Sequence, residues 1–333
     1  MMRRSLAKVI RGERLSEDEA GAAMAAIMDG EATPSQIGGL LSALAVRGET
    51  EDEVVGFART MRSRAVPLRS TKAVDTCGTG GDGAGTFNIS TVASLVVAAC
   101  GVTVAKHGNR SASGSCGSAD LLEALGVKID PPAETVQRCL DQAGWAFLFA
   151  PAFHAATRHA AGPRRELGVR TAFNLLGPLT NPALPEAQLV GVSRPQLAPF
   201  MARCLDRLGV QRAWVVHGQG LDELTLSGET TVTQLERGRL SAFTVSPETA
   251  GLRRAPLEAL RGSSAEESAH IARRVLEDEE GPCRDVVLLN AAAALLVAGR
   301  ASDLQQGVQM ASKSISEGRA AALLDRVRSL SWS

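Results

Sequence analysis

Val74-Asp75-Thr76-Cys77-Gly78-Thr79-Gly80-Gly81-Asp82-Gly83-Ala84-Gly85-Thr86-Phe87-Asn88-Ile89-Ser90-Thr91 decides how this chain is read. A short β-rich run leads into five glycines within eight residues, and Asn-Ile-Ser-Thr then opens an apolar helix reaching Cys100. Glycine permits positive φ and lets the backbone come close to a ligand. The first amides of a helix lack intrahelical acceptors and lie at the positive end of its dipole. A strand, a glycine loop and a hydroxyl-capped helix together describe a phosphate cradle. No Gly-Lys-Ser/Thr closes it, and it does not match Gly-x-Gly-x-x-Gly followed by an acid on the next strand. A plain surface turn is the competing reading.

Outward from this stretch, β-rich runs at 73–76, 102–105, 145–149, 188–192 and 213–217 alternate with helical patterns at 92–100, 118–125, 134–142 and 196–208. Such alternation predicts a mainly parallel sheet covered by helices, with ligands at the carboxyl ends of the strands. Residues up to 68 read as short amphipathic helices. Ser16-x-x-Glu19 and Thr50-x-x-Glu53 are capping boxes, and Thr33-Pro34 is a cap followed by proline at the first helical position. These helices bury little among themselves, so their apolar faces are expected to meet the rest of the chain or a second subunit. Residues 151–182 interrupt the alternation with a helical stretch at 154–168, which is expected to return to the helical unit and form a hinge. Residues 229–245 read as a hairpin and 264–330 as mostly helical. The expected class is α/β: a small all-helical domain, residues 1–68 joined by part of 154–182, hinged to a large α/β domain over 69–333.

Composition narrows the function classes. The 333 residues carry 36 basic and 36 acidic side chains, a balance that gives no support for a nucleic-acid or membrane-surface protein. Tyrosine is absent and aromatics are only 3%, which argues against a base-stacking platform. The cysteines, Cys77, Cys100, Cys116, Cys139, Cys204 and Cys283, show no Cys-x-x-Cys pair and no zinc spacing. With no apolar run at the N-terminus or of membrane-spanning length, a cytoplasmic location is expected.

Three further constellations carry chemistry. Lys106-His107-Gly108-Asn109-Arg110-Ser111-Ala112-Ser113-Gly114-Ser115-Cys116-Gly117-Ser118 is a second glycine- and serine-rich turn after a strand and before a helix. A lysine point charge and small hydroxyls suit phosphate, and two cradles suggest a ligand phosphorylated at both ends, with a sugar between. Asp222-Glu223 follows the run 213–217. Adjacent carboxylates point in different directions and suit Mg²⁺, with Ser90 as a neutral oxygen ligand or a helix cap; an ordinary acidic turn is the alternative. Gly162-Pro163-Arg164-Arg165-Glu166 supplies planar guanidinium forks that match a carboxylate, and with His107 and His154 could hold an anionic aromatic acceptor. Pairing of these arginines with Glu166 or water is the plain reading.

Taken in order, Gly78-Thr79-Gly80-Gly81-Asp82, Thr86-Phe87-Asn88-Ile89-Ser90-Thr91, Lys106-His107-Gly108-Asn109-Arg110, Ser118-Ala119-Asp120-Leu121-Leu122-Glu123-Ala124-Leu125-Gly126, Arg170-Thr171-Ala172-Phe173-Asn174-Leu175-Leu176-Gly177-Pro178-Leu179-Thr180-Asn181-Pro182 and Asp222-Glu223 resemble the anthranilate phosphoribosyltransferase family of tryptophan biosynthesis over nearly the whole chain. The resemblance implies a nucleoside phosphorylase-like fold, a homodimer joined through the helical domain, and transfer from phosphoribosyl pyrophosphate (PRPP) to anthranilate with two Mg²⁺ ions per subunit. It implies that Gly78, Gly81, Asp82, Thr86, Asn88, Ile89, Ser90, Thr91, Lys106, His107, Gly108, Asn109, Arg110, Ser111, Ala112, Ser113, Gly114 and Ser118 surround PRPP. Gly78, Asn109, Arg164, His107 and His154 would place anthranilate, and Ser90, Asp222 and Glu223 would bind the metal. Association with an anthranilate synthase amidotransferase subunit is left open.

Two stretches depart from the family pattern: Ala155-Ala156-Thr157-Arg158 with Gly162-Pro163, and Ser113-Gly114-Ser115-Cys116. They bear on the acceptor pocket and the phosphate loop. A phosphorolytic nucleoside enzyme and a non-catalytic binder of nucleotides or nucleic acid are the readings to test against.

Overall fold

The computed structural model describes residues 1–69, 72–111, 116–262 and 264–333. In chain order the helices and strands are α1 (Met2–Ile10), α2 (Glu17–Met28), α3 (Pro34–Arg47), α4 (Glu51–Ser63), β1 (Val74–Gly78), α5 (Ile89–Ala99), β2 (Val104–Gly108), α6 (Ser118–Ala124), α7 (Ala133–Ala143), β3 (Trp145–Phe149), α8 (Ala150–Phe153), α9 (Arg158–Leu167), α10 (Phe173–Leu176), β4 (Ala187–Gly191), α11 (Leu197–Arg207), β5 (Arg212–His217), β6 (Thr230–Glu236), β7 (Arg239–Val245), α12 (Ala265–Leu276), α13 (Pro282–Val297), α14 (Leu304–Ser316) and α15 (Arg319–Ser331).

The strands form one sheet in the order β3-β2-β1-β4-β5-β6-β7. Neighbours from β3 through β5 run parallel, and β6 and β7 add an antiparallel hairpin at one edge. From β1 the chain moves first to one side, toward β2 and β3, and later to the other, to β4. This is the reversal of strand order beside which open α/β sheets bind ligands. Gly78 pairs with Gly191 at the carboxyl ends of β1 and β4.

One face of the sheet is covered by α5 and α13, and this core includes Val92, Leu95, Val96, Leu289 and Leu295. α5 is apolar on all sides because it lies between the sheet and α13, α14 and α15. The opposite face carries the helical layer. Ile37, Leu40, Leu41, Leu44, Val54 and Phe57 share a single cluster with Met201 and Leu205 of α11 and with Val190 and Val215 of the sheet. The underfilled N-terminal helices therefore find cover within their own chain. α9 packs on α2 and α3, placing Ala160 in that cluster. Its Pro163 is tolerated near the middle of the helix, though it removes one backbone donor there.

All three N-terminal caps form: Ser16, Thr33 and Thr50 accept from the amides of Glu19, Gln36 and Glu53. The expectation for α5 needs correction. Asn88 is its N-cap residue and makes no side-chain cap bond, while Ser90 lies inside the first turn. β1 and β2 also run further than expected, through Gly78 and Gly108, because glycine-to-glycine register with β4 and pairing with Phe149 of β3 continue the ladders.

Candidate active site

The turn after β5 brings Asp222 and Glu223 over the carboxyl end of β1. Asp222 Oδ2 accepts from the Gly80 amide at 2.8 Å, and Asp82 Oδ2 accepts from the Asp222 amide at 3.2 Å. Asp82 Oδ1 also accepts from the Ala84 amide at 3.1 Å, which stiffens the glycine loop. The approach is so close that a Cβ at position 78 would overlap the Asp222 carboxylate and one at 191 its backbone carbonyl. The Gly78–Gly191 pair is therefore the seat of Asp222, which explains why the strand ends there are glycine.

Burial raises the Asp222 carboxyl to about 7, with the Asp82 charge adding to the shift. Burial and then the Asp222 charge raise Glu223 to about 8, while the Ser90 hydroxyl and Lys106 oppose the shift. These shifts mark a surplus of negative charge at a wall of hard oxygen donors. Among the described residues there is no group of three or more His, Cys, Asp and Glu that could hold a metal. Two carboxylates and the Ser90 hydroxyl instead fit Mg²⁺, which binds few protein carboxylates and retains waters.

Lys106 lies almost wholly buried at the end of β2. Its Nζ donates to the Thr76 carbonyl and, at 3.3 Å, to Ser90 Oγ. The ammonium thus belongs to the carboxylate centre. Asp75 lies beneath it and accepts from the His107 amide at 3.2 Å and from Asn181 Nδ2 at 2.8 Å. Burial pushes the Asp75 carboxyl up and the Lys106 ammonium down, and the attraction between them opposes both shifts.

The second cradle is tied to the first by Asn88 and Cys116. Asn88 Nδ2 donates to the Cys116 carbonyl at 3.2 Å, and the thiol lies 3.1 Å from Asn88 Oδ1. Gly108 gives room to Ser118 and Phe147, and Ser118 Oγ donates to the Asn109 carbonyl at 3.2 Å. Asn109 Oδ1 accepts from the Arg110 amide at 2.7 Å. Arg110 itself is held at the surface by Asp120 and Glu123, and the Ser111 amide donates to Asp120 Oδ2. Ala112, Ser113 and Gly114 lie outside the described residues.

The expected acceptor side lies nearby. His107 Nδ1 is 3.0 Å from the Gly177 carbonyl, His154 Nε2 is 2.9 Å from that of Thr180, and the rings meet edge-on with centroids 5.4 Å apart. Among the described residues, His107 Nε2 and His154 Nδ1 are buried without a hydrogen-bond partner. Burial lowers His107 to about 3 and also lowers His154. Arg164 is stacked over the Phe173 ring at 4.7 Å. No ion pair joins Arg164 to Glu166 among the described residues, so the plain pairing does not form.

Gly78, Asp82, Ser90, Lys106, Asp222 and Glu223 thus converge, and His107 and His154 form an adjoining pair. The side chains of Ile89 and Thr91 are buried in the first turn of α5. Thr86 pairs with Arg261 in an isolated bridge. Sequence reasoning gave no role to Asp75, Asn181 or Arg170, yet all three brace these segments. Asp75 and Asn181 stand inside motifs already singled out, but only the folded topology shows what they touch.

The helical bundle domain of the glycosyl transferase family matches residues 3–65, and its a/b domain matches residues 70–321. An anthranilate phosphoribosyltransferase of Moorella thermoacetica is 58% identical over 327 residues, covering 97% of this chain and 96% of its own. The crystal structure of anthranilate phosphoribosyltransferase from Thermus thermophilus superposes with a TM-score of 0.94 at 50% identity, covering 99% of each chain. The Saccharomyces cerevisiae enzyme in complex with PRPP and Mg superposes with a TM-score of 0.91 at 26% identity, covering 99% of this chain and 98% of its own. The chain therefore belongs to the glycosyl transferase family and, within it, to the anthranilate phosphoribosyltransferases.

Proposed function

We propose that this chain transfers the phosphoribosyl group of PRPP to the amine of anthranilate, giving N-(5-phosphoribosyl)anthranilate and pyrophosphate, a step of tryptophan biosynthesis. The observation that carries this reading is the carboxylate pair beyond β5, with Asp222 bound to the glycine loop and Glu223 beside Ser90 and Lys106. Ser90, Asp222 and Glu223 are the residues we assign to Mg²⁺, and two ions per subunit is the count we propose. Bound there, Mg²⁺ would spread the charge of the departing pyrophosphate. Gly78, Gly81, Asp82, Thr86, Asn88 and Thr91 are assigned to the pyrophosphate and ribose, and Gly108 through Ser111 with Ser118 to phosphate, Arg110 through its backbone alone because Asp120 and Glu123 hold its side chain.

The anthranilate amine is already nucleophilic, so the protein's share is positioning and electrostatic stabilisation. Lys106 stands beside Ser90 and offsets part of the negative charge of the carboxylates. Arg164, Asn109 and the His107–His154 pair are assigned to the acceptor. The two imidazoles are held neutral and each has one nitrogen to offer. We assign the step to displacement of pyrophosphate at the ribose C1 by the anthranilate amine, with inversion.

We further infer a homodimer joined through the N-terminal helices, where Ile10 and Val46 are 66% and 90% exposed, and a cytoplasmic enzyme. Among the described residues no helix is long and apolar enough to cross a membrane.

Anthranilate's own fluorescence tests the reaction. Its loss should need protein, PRPP and Mg²⁺ together and stop on adding EDTA. Folded protein that leaves anthranilate untouched but phosphorolyses nucleosides would overturn the proposal.

A further inference from the structure

Arg170 lies on the segment between α9 and α10, remote in sequence from the first glycine loop. Its Nη1 nevertheless donates to two successive carbonyls of that loop, Gly80 at 3.2 Å and Gly81 at 3.1 Å. The loop is shaped to receive it. Gly80 and Gly81 have φ of +65° and +73°, and a Cβ at position 81 would lie 2.6 Å from Arg170 Nη1.

The peptide bonds here are all trans. In a trans peptide the carbonyl and the following amide point in opposite directions. Holding the carbonyls of Gly80 and Gly81 on the Arg170 side therefore turns the amides of Gly81 and Asp82 to the other side. Among the described residues neither amide has a protein acceptor, whereas the Gly80 amide is taken by Asp222. Two free adjacent amides after left-handed glycines form an anion-binding concavity. We propose that Arg170 is a positioning residue that sets this two-amide concavity for the pyrophosphate of the donor, acting through the backbone and without touching substrate.

The assignment rests on the proposed donor site and adds a requirement to it. Arg170 follows directly on α9, the helix that bears Arg164, so the acceptor segment and the donor loop are joined by one guanidinium. Its second Nη is buried with no acceptor among the described residues, so the guanidinium retains bonding capacity.

The test uses the full chain with R170M and R170K. The readouts are KM for PRPP, KM for anthranilate, kcat, calorimetric binding of Mg²⁺-pyrophosphate and the thermal midpoint. Loss of charge-assisted bonds to two carbonyls predicts that R170M raises the PRPP KM and weakens pyrophosphate binding by about tenfold to a hundredfold. The anthranilate KM should move by less than about twofold, as expected of well-separated contacts. R170K keeps the charge but not the fork, so its pyrophosphate affinity should fall between the two.

Wild-type pyrophosphate affinity in either variant would overturn the assignment. So would an equal loss for both substrates with a lowered thermal midpoint, which a merely structural arginine would give. Should R170M not fold, R170K alone decides by the same criterion. A wild type that binds pyrophosphate through Arg170 but consumes no anthranilate would refute the proposed reaction and leave this inference standing.

Discussion

At the carboxyl end of β1 the charged groups are bound to the backbone around them. Asp222 is held by the Gly80 amide, Asp82 by those of Ala84 and Asp222, Lys106 by the Thr76 carbonyl, and Arg170 by two loop carbonyls. One strand over, His107 and His154 each make a single ring-nitrogen bond to a carbonyl and bury the other nitrogen unpaired, and Arg164 rests on an aromatic face. The proposed donor side is largely assembled before any ligand arrives, its unbalanced negative charge, the two open loop amides and one Arg170 Nη apart. The proposed acceptor side instead keeps hydrogen-bonding capacity in reserve. An unpaired buried polar atom costs about 1–3 kcal/mol, so a ligand that supplies the missing partners recovers free energy on binding. Preorganisation suits a highly charged donor, and unfilled polar groups suit a small, nearly flat acceptor.

The sharpest way to break this contrast is at the carboxylates. Replacing Asp222→Asn and Glu223→Gln together should lower kcat/KM by about a thousandfold, the scale of metal stabilisation of a leaving group. Steady-state kinetics across a Mg²⁺ titration would show it, and near-full turnover would remove the pair from the mechanism.

The buried imidazoles come next. Burial holds His107 near 3 in the folded chain, against about 6.5 when unfolded, so below that pH protons bind the unfolded chain preferentially. The folded state thus loses stability as pH falls from 6.5 toward 3, by about 2 kcal/mol at pH 5 from this residue alone. Asp222, Glu223 and His154 titrate in wild type and variant alike, so denaturant melts of wild type and His107→Asn should differ in their change between pH 7 and pH 5 by about 2 kcal/mol, the variant faring better in acid. A variant with the same pH dependence as wild type would show that His107 is not held neutral.

Arg164→Met should act on the acceptor alone, raising the anthranilate KM by about tenfold, the worth of one charge-assisted bond, with the PRPP KM unchanged. A shift in the PRPP KM instead would merge the two sides.

The smallest effect is expected at Arg110, which is exposed and held by Asp120 and Glu123. Arg110→Gln should change stability by less than about 1 kcal/mol and leave PRPP kinetics within about twofold. A larger kinetic loss would mean that Arg110 leaves its carboxylates to meet substrate.

How far these regions were legible in the sequence depends on the reach of their contacts. The strand–glycine–helix order and the capping boxes are local, and they are present, though β1 runs on to Gly78 and α5 lacks its hydroxyl cap. Asp222-Glu223 was found because an acidic pair directly follows a strand. Of the two readings of Ser90, the helix cap does not form, because Asn88, two residues earlier, takes the N-cap position and turns its side-chain amide to Cys116. Lys106 looks like a free phosphate ligand until Ser90 and Thr76 are seen around it. Arg170 opens a family marker, but nothing local to it says what it binds. Its partners are backbone carbonyls of another segment, which have no side-chain signature to read.

The apolar cluster that runs from the N-terminal helices into α11 and the sheet bears on how the molecule melts. Leu40, Leu44 and Phe57 share their burial with Val190, Met201 and Val215, so neither set stays covered if the other unfolds. Calorimetry should therefore register one transition, with no separate early melting of the helical layer. For the same reason, a truncated chain beginning near β1 would bare a broad apolar face on α11 and come down as aggregate rather than as a free-standing half-enzyme.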